Sequence, residues 1–358
     1  MTPITYATIN LSAIEHNLTR VRYYAPKAQI MAVIKADGYG HGLLQVAEAL
    51  KHADAFAVAR INEAMRLRYA GFKQRLVVLE GFMNAEELDV FIQYNLDPVV
   101  HCVEQVALLE KKAETSLFVW LKLDTGMNRL GFKSADFSYI YQRVKDCVKD
   151  ETKINVMTHL ANADDKKDTK TLAQIDLFKT IIKGVKGQRS MANSAGILEW
   201  TAALSDWVRP GLMLYGISPF ENEIGKQFNL KPVMSLYSQL IAIKTLQKGE
   251  TVGYGSTWIA EKTTRIGIVG IGYGDGYPRH AKTGTPMLIK GKQVPLVGRV
   301  SMDMITVDLS SQLEAAVYDS VMLWGDDLAV EDIATCAGTI AYTLVCGVTA
   351  RVPRLEIK

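Results

Sequence analysis

Eight short segments, most of them apolar, alternate with amphipathic stretches between residue 29 and about residue 212, and this alternation limits the possible folds more than any other feature. The segments are Gln29–Ile34, Ala55–Ala59, Arg75–Leu79, Leu96–Val100, Leu117–Leu121, Ile154–Met157, Arg189–Ala192 and Asp206–Arg209. Their length suits strands and is too short for ordinary helices. Between them lie His41–Leu50, Asn62–Gly71, Ala85–Tyr94, Val103–Lys112, Ser134–Val148 and Leu172–Gly184. Apolar residues recur there at helical spacing, as Leu43, Val46 and Leu50 do on one face. Strand alternating with helix predicts a parallel sheet. A count of eight, at roughly 20–35 residues per unit, favours a closed (β/α)8 TIM-like barrel over an open doubly wound sheet.

Near Pro232 the rhythm changes. Ser235–Lys244, Arg265–Gly270, Pro286–Ile289, Val294–Val297, Ile305–Asp308 and Ser320–Trp324 are predicted strands between Gly, Pro and Asp turns, with one helix at Val330–Ala337. The fold class expected is therefore α/β followed by β: a barrel domain over 1–228 and a mainly-β domain over 229–358. The 41 Lys+Arg and 38 Asp+Glu leave a net charge of +3 spread along the chain, which gives no reason to expect nucleic acid or an anionic membrane as partner. Met1–Leu11 lacks the basic and apolar segments of a secretory signal, and the longest apolar run, Ile266–Ile271, is too short to span a bilayer. Cys102, Cys147, Cys336 and Cys346 show neither a C-x-x-C pair nor zinc spacing, so free thiols in a reducing, cytoplasmic compartment and no metal are expected.

A barrel of this kind carries its chemistry at the C-terminal ends of its strands. Lys35 ends the first strand, in the run Ala32–Gly42. Position alone leaves two readings: the side chain reaches solvent as an ordinary ammonium, or it stays beside the apolar strand, where its pKa falls and the amine becomes a nucleophile toward an aldehyde. Gly38, Gly40 and Gly42 make G-x-G-x-G rather than G-x-G-x-x-G, and no acidic ribose-binding residue follows at the right distance; a dinucleotide site is not indicated. Lys122–Gly131 follows the fifth strand and includes Asp124 and Arg129; His159 follows the sixth. Asn193 and Ser194 follow the seventh and suit the start of a helix, a natural anion site. Arg209, Pro210, Gly211 and Leu212 follow the eighth, where barrels frequently hold phosphate; the N–H groups of Gly211 and Leu212 and the Ser194 hydroxyl are the expected donors. An amine, an anion site and a guanidinium together match a phosphorylated aldehyde, and pyridoxal 5'-phosphate (PLP) satisfies all three.

These segments, together with Thr158–Ala163, Val252–Gly255, Gly272–Tyr277, Gly298–Asp303 and Arg351–Arg354, occur in an order that resembles the alanine racemases along essentially the whole chain. The resemblance implies an eight-stranded barrel with a β-rich C-terminal domain, a head-to-tail homodimer, and active sites built from both subunits. It implies that Lys35 carries PLP covalently and acts as one catalytic base. Tyr39, Asn193, Ser194, Gly211 and Leu212 contact the cofactor, largely at its phosphate. Arg209 faces the pyridine nitrogen with His159 behind it, and Arg129 lies by the phenolic oxygen and the substrate. Lys122 matches a lysine carbamylated in many members. From the partner come Tyr254 as second base, and Tyr273 and Met302 to position substrate carboxylate and phosphate. Some members carry a tyrosine directly before Arg-Val-Pro; here that position is Ala350.

Racemisation removes the α-proton from one face and returns one to the other, so two bases on opposite faces suffice. An arginine at the pyridine nitrogen donates a hydrogen bond without surrendering a proton, which keeps charge off the ring and disfavours side reactions. The activity expected is interconversion of L- and D-alanine, for peptidoglycan supply or D-alanine breakdown. A broader racemase acting on serine or other small amino acids is the alternative. A PLP carrier lacks a C-terminal domain and so lacks a counterpart of Tyr254. A barrel-type decarboxylase places a glutamate where Arg209 stands.

Overall fold

The computed structural model describes residues 3–112, 116–148 and 150–357; Met1 and Thr2, at the start of the stretch searched for a signal, lie outside them. The first strand, β1 (Tyr6–Asn10), precedes the helix Leu11–Tyr24. Eight parallel strands then close a barrel: β2 (Gln29–Val33), β3 (Ala55–Val58), β4 (Arg75–Val78), β5 (Asp97–Val100), β6 (Val119–Lys122), β7 (Ile154–Met157), β8 (Arg189–Ser190) and β9 (Trp207–Val208). The last strand pairs back onto the first of the ring through Gln29–Trp207 and Ile30–Val208. Each overlaps a predicted segment. Their side chains are buried nearly throughout, because one face fills the barrel and the other is covered by helices.

Strands β8 and β9 keep only two residues each where four were expected. Beyond Ser190 and Val208 the backbone leaves the regular ladder, although Arg209 N–H still donates to Ala192 O at 2.9 Å. This departure carries Asn193, Ser194 and Arg209 over the barrel mouth.

Helices Leu43–Ala49, Ile61–Tyr69, Ala85–Gln93, Val103–Lys111, Phe137–Cys147 and Lys170–Ile181 follow β2 to β7, and the short helix Ser194–Glu199 follows β8. After β9 the chain enters a single-turn segment, Leu212–Tyr215, in place of a full helix. The helix Leu11–Tyr24 packs against that segment, against Leu43–Ala49 and against Ser194–Glu199, so it fills the place of an eighth barrel helix. Asn10 Oδ1 caps it at Ala13 N–H (2.9 Å). Asn17 interrupts its apolar face, and this hides the helical pattern in the sequence. The Asn17 amide is fully buried and bonded to Leu214 O (3.0 Å) and Lys231 O (2.8 Å).

The second domain is built on an eight-stranded sheet. Its members after the barrel are β10 (Met234–Leu246), then, past the two-stranded hairpin β11 (Thr251–Val252) and β12 (Trp258–Ile259), β13 (Thr264–Val269), β14 (Pro286–Ile289), β15 (Lys292–Pro295), β16 (Ile305–Asp308), β17 (Ser320–Trp324) and β18 (Arg354–Ile357). The central order is β15-β14-β17-β10-β1-β18, with β13 joining β10 to β16.

One strand from before the barrel crosses the expected cut near 228: β1 pairs antiparallel with β10 and parallel with β18. Ala7 and Ile9 are thereby buried in the second domain, a pairing that no local pattern announces. The second domain also holds two helices, Val330–Ala337 and Ala341–Gly347, not one. The latter is seven residues long, with β-branched Thr343 and Val345 and a glycine at its end, so its intrinsic helix propensity is poor. Burial of Ala341, Leu344 and Val345 holds it in place. No helix among the described residues is long and apolar enough to cross a membrane.

Candidate active site

A cavity of about 410 Å³ opens at the C-terminal ends of the barrel strands. Residues at or just past the ends of every barrel strand except β5 line it. Four cations (Lys35, Lys122, Arg129 and Arg209) face it with one carboxylate, Glu80. Such a surplus favours an anionic ligand.

Lys35 and Tyr39 reach the cavity from one turn of unusual hand. Ala36, Asp37, Gly38 and Tyr39 have φ of 53°, 53°, 64° and 53°, a left-handed helical turn. This conformation costs an ordinary L-residue about 1–2 kcal/mol. Gly38, Gly40 and Gly42, at φ of 64°, 80° and 97°, account for the glycine spacing that the sequence displays. Glu63 steadies the entry by accepting from Ala36 N–H at 2.7 Å. Residues four apart share a face in a helical turn of either hand, so Lys35 and Tyr39 point together. The Lys35 amine is held below its ordinary pKa, first by burial and then by the Arg129 guanidinium; Glu63 and Glu80 oppose this.

Lys122, the last residue of β6, is more strongly affected. Burial, then Arg209, Arg129 and Lys35, push its pKa down to about 7, with Asp124 opposing. The loop carrying Arg129 folds straight back, Phe132 N–H donating to Lys122 O at 2.9 Å.

Arg209 is buried yet well supplied with acceptors. Nη1 donates to Ser190 Oγ (2.6 Å), and Nη2 shares its two protons among Thr158 O (2.5 Å), Met191 O (3.2 Å) and His159 Nδ1 (3.4 Å). A guanidinium only donates, so His159 Nδ1 is the bare ring nitrogen. Burial and Arg209 hold the imidazole pKa well below its usual value. Burial brings Arg209 to about 10, still cationic at neutral pH.

The anion end differs from expectation in one respect. Ser194 Oγ accepts from Gly211 N–H (3.0 Å) and Met213 N–H (3.3 Å), so the Gly211 amide is directed at the serine rather than left open for a ligand. Both Ser194 lone pairs are occupied and its proton remains to donate. Asn193 Oδ1 caps the helix Ser194–Glu199 at Gly196 N–H (2.9 Å). Tyr39 lies against Gly211 so closely that a Cβ there would stand 2.6 Å from the Tyr39 hydroxyl. The Tyr39 ring stacks on Tyr215 (4.7 Å), whose hydroxyl donates to Val33 O (3.2 Å).

Ten sequence-identified residues thus line one cavity: Lys35, Tyr39, Lys122, Arg129, His159, Asn193, Ser194, Arg209, Gly211 and Leu212. Tyr254, Tyr273 and Met302 do not; they stand on the second domain, 70%, 40% and 53% exposed. Tyr342 was missed. It comes from the unpredicted helix Ala341–Gly347, lines the cavity and lies 5.8 Å from the Tyr39 ring. It supplies a phenol to the pocket, whereas Ala350, directly before Arg351-Val352-Pro353, supplies none. The nearby tyrosine was visible in the sequence; the helix that aims it was not.

The family model described as "Alanine racemase, N-terminal domain" matches residues 9–219, and "Alanine racemase, C-terminal domain" matches 233–356. An alanine racemase of Coxiella burnetii (strain RSA 331 / Henzerling II) is 50% identical over 360 residues, covering 98% of each chain. The biosynthetic alanine racemase structure from Pseudomonas aeruginosa superposes with a TM-score of 0.96 at 44% identity, covering 100% of both chains. An alanine racemase from Bartonella henselae, solved with covalently bound pyridoxal phosphate, superposes with a TM-score of 0.89 at 27% identity, covering 99% of this chain and 100% of that one.

Proposed function

The chain belongs to the alanine racemase family and is an amino-acid racemase; on that premise we propose that it interconverts L- and D-alanine at the barrel mouth, using PLP and two bases. The observation that carries this reading is the meeting of a depressed-pKa lysine and a buried arginine, Lys35 and Arg209, in one cavity.

The cavity's residues fit PLP. Lys35 offers the amine for its aldehyde. Ser194 keeps a donor proton, Tyr39 and Tyr342 bring phenols, and the missing side chain at Gly211 leaves a cradle beside the Tyr39 hydroxyl. When bound, PLP would supply an electron sink that makes the α-proton of the amino acid removable. Lys35 Nζ accepts or returns that proton on one face; its lowered pKa enlarges the neutral fraction that can do so. Arg209, held by Ser190 and Thr158, donates toward a ring nitrogen and stays protonated. Arg129 faces the carboxylate end of the substrate.

Tyr254 is the second base, and it acts on a second copy of the chain. Its exposure, with that of Tyr273 and Met302, suits surfaces that complete a neighbour's site. The smallest working unit is then a homodimer. The reaction is reversible, so one site serves both D-alanine supply to peptidoglycan and D-alanine breakdown. Cys102, Cys147, Cys336 and Cys346 are free thiols, in keeping with cytoplasmic residence.

The test is circular dichroism of L-alanine, L-serine and L-lysine incubated side by side with the purified protein. Loss of optical activity fastest with L-alanine is expected. Comparable rates with serine would replace this reading by a broader racemase. An unchanged alanine signal in a protein that binds PLP would replace it by a carrier.

Lys122 carries a carbamate in this reading. An amine with a pKa near 7 is half neutral at pH 7, and only the neutral amine adds CO₂. The new N–C bond forms as one amine proton leaves to solvent, and the product is an anion beside Arg129 and Arg209; it relieves the crowding of cations that, after burial, depresses the amine. Incubation with ¹³C-bicarbonate should give a carbamate carbon signal that Lys122→Ala abolishes. The label should increase as pH rises through about 7 and fade below it. An unlabelled, unmodified lysine across that range would refute the modification.

A further inference from the structure

The left-handed turn that presents Tyr39 is closed by two side chains with no part in the chemistry above. His41 is fully buried. Its Nδ1 lies 3.1 Å from Gly38 O and 2.9 Å from Tyr39 O, so Nδ1 carries the proton and donates to both carbonyls. The same ring packs 4.6 Å from Tyr215, on which Tyr39 stacks. Burial pushes the His41 pKa down to about 4, so the ring is neutral and this tautomer persists at neutral pH. Its Nε2 has no hydrogen-bond partner among the described residues, and the ring lines a gap of about 10 Å³ between the barrel and the second domain, with Glu331 on the same wall. That volume is close to one water.

Arg354, on β18 of the second domain, reaches the next carbonyl. Its Nε donates to Gly40 O at 2.6 Å and its Nη2 to Val348 O at 3.0 Å. The helix Ala341–Gly347 presses on the same place, since a Cβ on Gly40 would strike Val345 O. Three consecutive carbonyls of an unfavourable turn, those of Gly38, Tyr39 and Gly40, are therefore held from outside its own ladder.

We propose that His41 and Arg354 are positioning residues that latch the left-handed turn and so set the Tyr39 hydroxyl at the phosphate end of the cofactor cavity. This rests on the reading of Tyr39 as a phosphate contact. Lys35 precedes the turn and has its own anchor, where Glu63 holds Ala36 N–H. Loosening the latch therefore affects the phosphate end more than the amine end.

PLP and pyridoxal, which lacks the phosphate, separate the two ends. Their dissociation constants are measured by equilibrium dialysis of the purified full chain, and the bound phosphate is observed by ³¹P NMR. His41→Leu should weaken PLP about tenfold, the size of one lost buried hydrogen bond, while pyridoxal changes less than about threefold. The ³¹P resonance should move. His41→Asn places an amide N–H near the old Nδ1 position and should restore both readouts. Arg354→Met tests the latch from the other domain and should act in the same direction, including where His41→Leu fails to fold. Equal weakening of PLP and pyridoxal, or an unmoved ³¹P resonance in folded variants, would overturn the latch. Tyr39→Phe locates any failure. If it does not separate PLP from pyridoxal, the phosphate reading of Tyr39 falls and the latch with it. If it does and the latch variants do not, only the latch falls.

Discussion

Lys35→Ala is expected to lower alanine racemisation by about 10⁴-fold, the upper end of what a positioned general base contributes. The reason lies in the pairing of location and pKa. Lys35 follows β2, is partly buried and is held below the ordinary lysine range by burial and Arg129. Lys35→Arg should lose about as much, although it keeps the charge. A guanidinium with a pKa above ~12 does not accept a proton at working pH. Because Ser194, Tyr39 and Arg209 stay in place, both variants should still bind PLP, without a covalent link. Solvent deuterium exchange at the α-carbon, run separately from L- and D-alanine, adds a second criterion. Loss of one base should suppress exchange from one enantiomer more than from the other. Activity within about tenfold of the unaltered protein would exclude Lys35 as a base.

The second large effect concerns the sharing of sites between chains. Tyr254→Phe alone should be as inactive as Lys35→Ala. Mixing the two inactive proteins under conditions that exchange subunits should restore about a quarter of normal activity. Half of the dimers are then mixed, and each mixed dimer has one site with both lesions and one with none. If Tyr254 served its own chain, every mixed site would keep a lesion and no activity would return. The exposure of Tyr254, 70%, and its position outside the cavity favour recovery. Tyr254→Phe should also bind PLP normally; equal loss of binding and activity would make the residue structural.

The barrel was legible because its signals are local. Strand and helix periodicities repeat within about 30 residues, and all eight barrel strands overlap the segments identified from them. Most residues that line the cavity were legible for a related reason. In such a barrel each strand end is a known address, so Lys35, Lys122, His159 and Arg209 could be placed once the strands were. The failures share the opposite property. Strand β1 finds its partners β10 and β18 more than 200 residues away, and nothing within Tyr6–Asn10 names them. Helix Ala341–Gly347 is held by burial rather than propensity, so Tyr342 could not be aimed from sequence. The Gly211 amide was expected to be free for a ligand; it bonds the Ser194 hydroxyl instead, a contact set by how the loops after β8 and β9 meet and not by any periodicity.

The sequence by itself determined the barrel, the second β-rich region and the residues that meet at the strand ends. Each depends on periodicity or on chemistry carried within a short segment. Tertiary structure alone decided the hand of the turn between Lys35 and Gly40. The glycines at 38, 40 and 42 permit that turn, but Ala36, Asp37 and Tyr39 do not favour it. They stay left-handed in the presence of Glu63, His41 and Arg354, which come from three different places in the chain and bond the turn's amides and carbonyls. A backbone conformation disfavoured residue by residue persists only where many outside contacts agree on it, and that agreement exists only in the folded chain.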